Sequence, residues 1–278
     1  MALICFNGNF LDESRPILRS SNRGYRYGDG FFETIRIVNN SIPLIAYHQK
    51  RIEKSIKQLG YTIPENLSLE KILLDILELC KQNDCTKAAR VRLSFFNGHG
   101  GLYETNQVLS YLIEVVPLIS PLPFMNIEGL RLIVFSDAKK DCSSLSNIKT
   151  SSALLLSQAA RFAIQTGYDD CLILNFKENP CESSIANIFW IKNQVIYTPP
   201  LSEGCVDGVL RAWLLDQWPD IRESPSRFED LWNADEVFLT NAIRGIQWIK
   251  QIESKEYSNS ITKQVFKQSI LPLFEGAI

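Results

Sequence analysis

The chain has 278 residues, 45% of them hydrophobic and 22% charged, with a formal net charge of −2. That length suits one large or two medium domains with a real core, and the interspersed charges offer no footprint for nucleic acid or a membrane surface. Two histidines, His48 and His99, argue against a His-rich metal site, and the closest cysteine pairs, Cys80/Cys85 and Cys171/Cys181, lack zinc or redox spacing.

At the N-terminus, M-A-L-I-C-F-N-G-N-F lacks the basic start, apolar run and cleavage site of a secretory signal. It reads as a strand over residues 2–8, with Asn7-Gly8-Asn9 turning into a short second strand. Residues 21–30, S-N-R-G-Y-R-Y-G-D-G, form a turn-rich but aromatic loop, and F-F-E-T-I-R-I-V (31–38) is a strand. Ile45, Ile52, Ile56 and Leu59 fall at helical spacing before Gly60, and a second helix over 69–80 has Ser68 as its N-cap. Two strands, 88–96 and 107–116, are joined by the glycine-rich stretch N-G-H-G-G-L-Y (97–103). Helices set between meander-like strands make this an α+β region.

Residues 117–128 carry three prolines and no period, so they divide a first domain, 1–116, from a second, 129–278. Those prolines and Glu114 also break the longest apolar region, which is therefore no membrane span. In the second domain a strand over 129–136 leads through a polar loop, 137–148, to a helix over 151–165. Strands follow at 170–175, 185–191 and 194–198, then a helix near 209–218. A strand pair, 236–239 and 246–252, and a helix over about 260–271 close the chain. Scattered, unpaired cysteines fit a reducing cytoplasm.

Three features of this second domain carry chemistry. Lys149 is the one charged residue between Asp141 and Arg161, and a lysine among small neutral groups loses its proton more cheaply and can attack carbonyls. Glu182, in C-E-S-S-I-A-N-I-F-W (181–190), enters an apolar and small-residue stretch, where a carboxylate is costly without a cationic partner. A protonated pyridine nitrogen is one such partner, and a loop glutamate after Asn179-Pro180 is the plain alternative. In L-S-E-G-C-V-D-G-V-L-R (201–211), two glycines precede a helix whose first N–H groups could hold a phosphate, although a connecting loop would look much the same.

Together these residues resemble the class IV, or fold type IV, pyridoxal-phosphate enzymes, which include D-amino-acid and branched-chain aminotransferases and 4-amino-4-deoxychorismate lyase. Arg23 with Y-G-D-G-F-F-E-T-I-R (27–36), His48-x-x-Arg51, Ile148-Lys149, E-S-S-I-A-N-I-F (182–189), Y-T-P-P-L-S-E-G-C-V-D-G-V-L-R (197–211) and D-E-V-F-L-T-N-A (235–242) match the family's motifs in order. The resemblance implies an α+β chain with a smaller N-terminal α/β sandwich and a larger, β-barrel-like C-terminal domain that binds pyridoxal 5'-phosphate. It implies that Lys149 forms the Schiff base and shuttles protons, that Glu182 meets the pyridine nitrogen, and that Arg51 binds the phosphate with backbone N–H groups of Val209 and Leu210. Thr240, Asn241 and Ala242 complete the cup, while His48 is a packed helix residue. It further implies a homodimer with the site at the domain interface and closed by a partner loop.

The family signatures leave the substrate open. Its side is assigned to Tyr27, Phe32, Arg92, Tyr103 and Arg244, with Arg26, Arg36 and Arg90 as further carboxylate anchors. Leu210 stands where many members have threonine, Ser152 and Ala153 replace an asparagine and a larger residue, and Asn97 and Leu102 stand where arginines are common. G-D-G-F-F-E-T leans away from the branched-chain enzymes, and A-N-I-F-W-I-K-N-Q-V-I-Y-T-P, G-V-L-R and T-N-A lie nearest the lyases, which eliminate pyruvate to leave 4-aminobenzoate. An amino-acid aminotransferase is the alternative, and a non-catalytic cofactor-binding paralogue is a third reading. Each would take a small amino-acid-like molecule.

Overall fold

Period-2 alternation in G-F-F-E-T-I-R-I-V builds strand β3 (Gly30–Val38), which sends Phe31, Glu33, Ile35 and Ile37 to one face and Phe32, Thr34 and Arg36 to the other. In the computed structural model, which describes residues 2–64, 67–104, 108–225 and 227–276, this strand is the edge of a five-stranded antiparallel sheet. The others are β1 (Leu3–Phe6), β2 (Asn9–Asp12), β4 (Ala88–Asn97) and β5 (Leu109–Pro117), in the order β2-β1-β5-β4-β3. Asn7 and Gly8, at φ 49° and 82°, form the two-residue turn that the Asn-Gly pair predicts. Helices α2 (Ile45–Leu59) and α3 (Leu69–Gln82) supply the core on the Glu33 face, with Ile52, Ile72, Ile76 and Leu79 fully buried. Ser68 caps α3 by accepting the Lys71 N–H at 3.1 Å. The predicted loop over 21–30 contains a short helix, α1 (Arg23–Tyr27), because Asn22 Oδ1 accepts the Tyr25 N–H at 3.0 Å. Gln107, the first residue of the predicted second strand, lies outside the described residues.

The first compact unit comprises Met1–Leu122, Lys149–Ser152 and Phe274–Ile278, and the second Pro123–Ile148 and Ala153–Leu273. The sequence boundary at 117–128 treats everything from 129 onward as one block, whereas Lys149–Ser152 belongs with the first unit. The cause is backbone pairing at the open edge of β3. Phe32 N–H donates to Lys149 O at 3.0 Å and Ser151 N–H to Gly30 O at 2.9 Å. Residues 149–151 are thus held as an extended segment, and the helix predicted from 151 starts later, as α4 (Leu154–Gln165).

The second unit is built on a closed sheet. Strands β6 (Leu130–Lys140), β7 (Asp170–Asn175), β8 (Pro180–Ser183), β9 (Asn187–Lys192), β12 (Glu236–Asn241) and β13 (Gly245–Ile252) pair in a ring, because β8 also bonds to β9. Strands β10 (Val195–Thr198) and β11 (Arg222–Glu223) extend it from β9. Leu132, Leu172, Ile188, Val237, Leu239 and Ile249 fill the interior, all at 2% exposure or less. Helix α5 (Val209–Gln217) packs on β12, and a C-terminal helix runs from Ser260 to Glu275 through one π-turn at Phe266–Ile270. The predicted end of the first strand at 136 is four residues early, since β6 resumes pairing at Lys140 opposite Asn175. Among the described residues, no helix is long and apolar enough to cross a membrane.

Candidate active site

Lys149 is placed by its backbone and presented by its neighbours. With its carbonyl fixed on β3, its Nζ stands 4.7 Å from the centroid of the Phe32 ring. The Arg92 guanidinium carbon lies 3.7 Å from the same centroid. Arg92 reaches Phe32 because β4 pairs it with Thr34, the next residue along that face. The structure therefore gathers three predicted residues, Lys149, Phe32 and Arg92, around one aromatic ring. A guanidinium and a primary amine thus share one π-system, which keeps a positive charge beside the amine.

On the opposite face of β3, Glu33 meets Arg51 of α2. Glu33, 1% exposed, accepts from Arg51 Nε at 2.7 Å and Nη2 at 2.5 Å, and from His48 Nδ1 at 2.7 Å. Burial alone would raise the Glu33 carboxyl, but the Arg51 charge and the hydrogen bonds from His48 and Arg51 outweigh it, leaving it at about 2. His48 is thus a packed helix residue, as its sequence context suggests, and its Nε2 has no partner. Glu33 was legible in principle. It is the one charge on the Phe31/Ile35/Ile37 face of an alternating strand, and a buried charge implies a paired one.

A second hub shapes the loops near Phe32. Asp29 accepts from Arg23 Nε at 2.7 Å, Tyr61 Oη at 2.6 Å and Asn97 Nδ2 at 3.3 Å. Burial works against the Asp29 carboxylate, yet these three donors hold it below its ordinary range. Asn97, 1% exposed, is spent here, so no arginine-like clamp issues from its position. Gly28, at φ 65°, ends α1 where a Cβ would press on Ser152 at 3.2 Å. The remaining substrate-side candidates are not gathered around Phe32. Tyr27 lies beneath the Arg23 guanidinium at 5.5 Å and is 43% exposed, and Tyr103 is 94% exposed. Arg36 is buried, with Nε donating to Pro121 O at 2.8 Å and Nη2 to Ser120 O at 2.5 Å. Arg26 donates to Ser20 O at 2.8 Å, and Arg90 projects to solvent.

In the second unit the register of three strands creates a polar row. Glu182 pairs with Asn187, and Asn187 with Thr240. Residues opposite each other in neighbouring strands share a face, so the three side chains stand side by side on the outer surface of the barrel. The connection before α5 is stitched onto this row. Val206 N–H donates to Glu182 Oε2 at 2.8 Å, and Val206 O accepts from Asn187 Nδ2 at 2.8 Å. At Gly208 the backbone comes so near that a Cβ would overlap Asn187 Oδ1. Only glycine permits this approach. Helix α5 then starts without a side-chain cap, and the N–H groups of Val209, Leu210 and Arg211 have no intrahelical acceptor. The Thr240 hydroxyl, on β12 against which α5 packs, is buried and without a hydrogen-bond partner among the described residues.

Uncapped N–H groups, a close glycine and an orphaned hydroxyl are the kind of donors that an anion such as phosphate accepts from. Leu210 is 1% exposed with its side chain in the core, so its contribution would be its N–H. Ala242 is buried in the turn after β12. Asn241 falls on the opposite face from Thr240, and its Oδ1 closes the turn by accepting the Ile243 and Arg244 N–H groups at 3.0 and 2.7 Å. Arg244 itself is exposed. Lys140, which the sequence places in a polar loop, pairs with Glu182 Oε1. A cleft of about 430 Å³ between β6 and α4, lined by Phe135, Asp137, Leu155 and Arg161 among others, includes none of the row. All seven cysteines are free thiols, and among the described residues no His, Cys, Asp and Glu cluster could hold a metal ion.

The amino-transferase class IV family model matches residues 30–252 of the chain. The aminodeoxychorismate lyase of Bacillus subtilis is 29% identical over 270 residues, covering 92% of this chain and 89% of that protein. The D-alanine aminotransferase of Staphylococcus haemolyticus is 24% identical, covering 96% and 95%. In fold, the chain is similar to the branched-chain aminotransferase of Thermoproteus uzoniensis crystallised with norvaline, with a TM-score of 0.89 at 23% identity over 99% of this chain and 95% of that one.

Proposed function

Since the chain belongs to the class IV aminotransferase family, we propose that this pyridoxal-phosphate-dependent enzyme is a lyase of the aminodeoxychorismate type. When bound, the cofactor supplies an aldehyde that captures amines and a ring that accepts electrons from the adjacent carbon. We assign its phosphate to the N–H groups of Val209 and Leu210, the Thr240 hydroxyl, the Thr240–Ala242 backbone and Arg51. We assign its pyridine nitrogen to Glu182, and its aldehyde to Lys149. The Thr240 hydroxyl supports the fit, because a buried hydroxyl without a partner is costly until an acceptor arrives.

The chain's own part in the chemistry follows from these positions. Lys149 takes the proton from the carbon bearing the substrate amine and returns one later. Arg92, over the Phe32 ring with Lys149, attracts a substrate carboxylate to the amine. The placing of Arg92 and Lys149 around one ring is the observation on which the reading depends. It suits a substrate with carboxylates and a departing enolpyruvyl oxygen, and the 29% identity to a lyase over most of the chain supports it.

One observation favours transamination instead: Asn97 is buried against Asp29, so loop 97–103 offers no second carboxylate clamp. Purified protein supplied with pyridoxal phosphate distinguishes the two. The lyase reading expects 4-aminobenzoate from aminodeoxychorismate and no keto-acid-dependent amino transfer from D- or L-amino acids; transfer without release reverses it. Lys149→Ala is expected to abolish either reaction and the absorbance of the bound cofactor. We infer a cytoplasmic homodimer, supported by the seven free thiols and by the exposed apolar side chains of Leu102 and Tyr103 on loop 97–103.

A further inference from the structure

If Glu182 meets the ring nitrogen, the assignment on which this inference rests, one proton is shared between a carboxylate and a pyridine. That proton can sit on either, and the protonated ring is the stronger electron acceptor. In this chain the carboxylate has a second partner. Lys140 Nζ donates to Glu182 Oε1, with side-chain exposures of 12% and 4%, while Oε2 accepts the Val206 N–H.

Lys140 arrives there by an irregularity in the strand. β6 pairs Phe135 with Ile173 of β7 and then resumes at Lys140 opposite Asn175, so β6 carries extra residues against β7. Ile173 in turn pairs with Glu182 on β8. Extra residues in one strand re-aim the side chain that follows, and here they direct an ammonium to the carboxylate. The adjacent thiols do not compete for it. Burial pushes Cys205 up to about 12 and, with the nearby Glu182 charge, raises Cys181 well above its ordinary range, so both stay neutral.

We propose that Lys140 is a positioning residue that keeps the shared proton on the cofactor ring and off Glu182. Coulomb energy falls with distance. An ammonium in contact with the carboxylate therefore favours the ion pair in which the base beyond it, and not the carboxylate, holds the shared proton. The chain thus tunes its electron acceptor through a residue that need not touch the cofactor.

The experiment uses pyridoxal phosphate labelled with ¹⁵N in the ring, loaded into full-length wild type, Lys140→Met, Lys140→Gln and Lys140→Arg. The nitrogen shift separates protonated from unprotonated rings. The wild type is expected at the protonated position, with Met and Gln moving the signal toward the unprotonated one and Arg restoring it. Should the Met variant not fold, Gln keeps a donor without the charge and gives the same readout. A signal unmoved in the neutral variants, or moved as far by Arg, overturns the role of Lys140. A wild-type signal that Glu182→Gln leaves unchanged, or a wild type that binds no cofactor, instead refutes the Glu182 assignment and removes the basis of the inference.

Discussion

Each unit of the molecule buries a carboxylate against a cation, and the two are finished to different degrees. Glu33 in the first unit accepts two bonds from Arg51 and one from His48, all from the helix facing its strand. Glu182 in the second accepts one ammonium and one backbone N–H, beside a hydroxyl with no partner. A carboxylate has about four lone-pair sites, so Glu33 is close to saturation while Glu182 keeps capacity for a further donor. The first arrangement fixes a helix and its arginine; the second leaves acceptor capacity unused.

The sharpest way to break this contrast is to remove each carboxylate. Glu33→Ala strands two buried nitrogen groups and is expected to cost about 3–5 kcal/mol of unfolding free energy. Glu182→Ala, which strands the partly exposed Lys140 and the Val206 N–H, is expected to cost about 1–3 kcal/mol but to weaken cofactor binding by tenfold or more, on the order of 1.4 kcal/mol. Urea denaturation of the ligand-free proteins measures the first quantity and fluorescence titration with pyridoxal phosphate the second. Equal losses of stability would dissolve the distinction.

Acid adds a test of the saturated pair alone. The Glu33 carboxyl is depressed from 4.5 to about 2 in the folded state, so its contribution is fully present above the ordinary value and drains away as pH falls through the folded one. The shift corresponds to roughly 3 kcal/mol. Denaturation curves between these pH values should lose that slope in Glu33→Gln, and an unchanged slope would count against the pairing.

Smaller effects probe the receptive region. Gly208→Ala, forcing a Cβ into Asn187, is expected to cost about 2 kcal/mol and to weaken cofactor affinity. Thr240→Val should do something opposite in sign: raise ligand-free stability by about 1 kcal/mol, since an unpaired buried hydroxyl is removed, while lowering affinity for pyridoxal phosphate about tenfold. Melting temperatures with and without cofactor read both terms, and a variant destabilised in both states would show that the hydroxyl is structural.

The sequence makes much of this arrangement visible, and the gaps have physical causes. Alternation and helical spacing locate β3, α2, α3 and α5, and the energetic cost of a lone carboxylate singles out Glu182 before any contact is known. Lys140 stayed hidden because D-A-K-K reads as solvated polar loop, and only an irregular strand register turns it inward. The row of Glu182, Asn187 and Thr240 depends on registers between strands far apart in the chain, which local periodicity cannot supply. Neutral neighbours mark Lys149 in the sequence, but helical spacing from residue 151 carries no sign of the unfilled edge of β3, which competes for that backbone.

That edge also bears on how the protein is made. A growing chain that has completed β5 still exposes the outer N–H and C=O groups of β3, an adhesive border of the kind that recruits stray strands. Its Gly30–Phe32 end gains a partner only when Ser151 has been synthesised, so the first unit cannot finish folding as the ribosome passes its last strand. The lysine to which we assign the chemistry thus sits on the segment that also covers one end of the nascent sheet's edge, and a fragment cut at Leu122 should aggregate where one carrying 149–152 in trans should not.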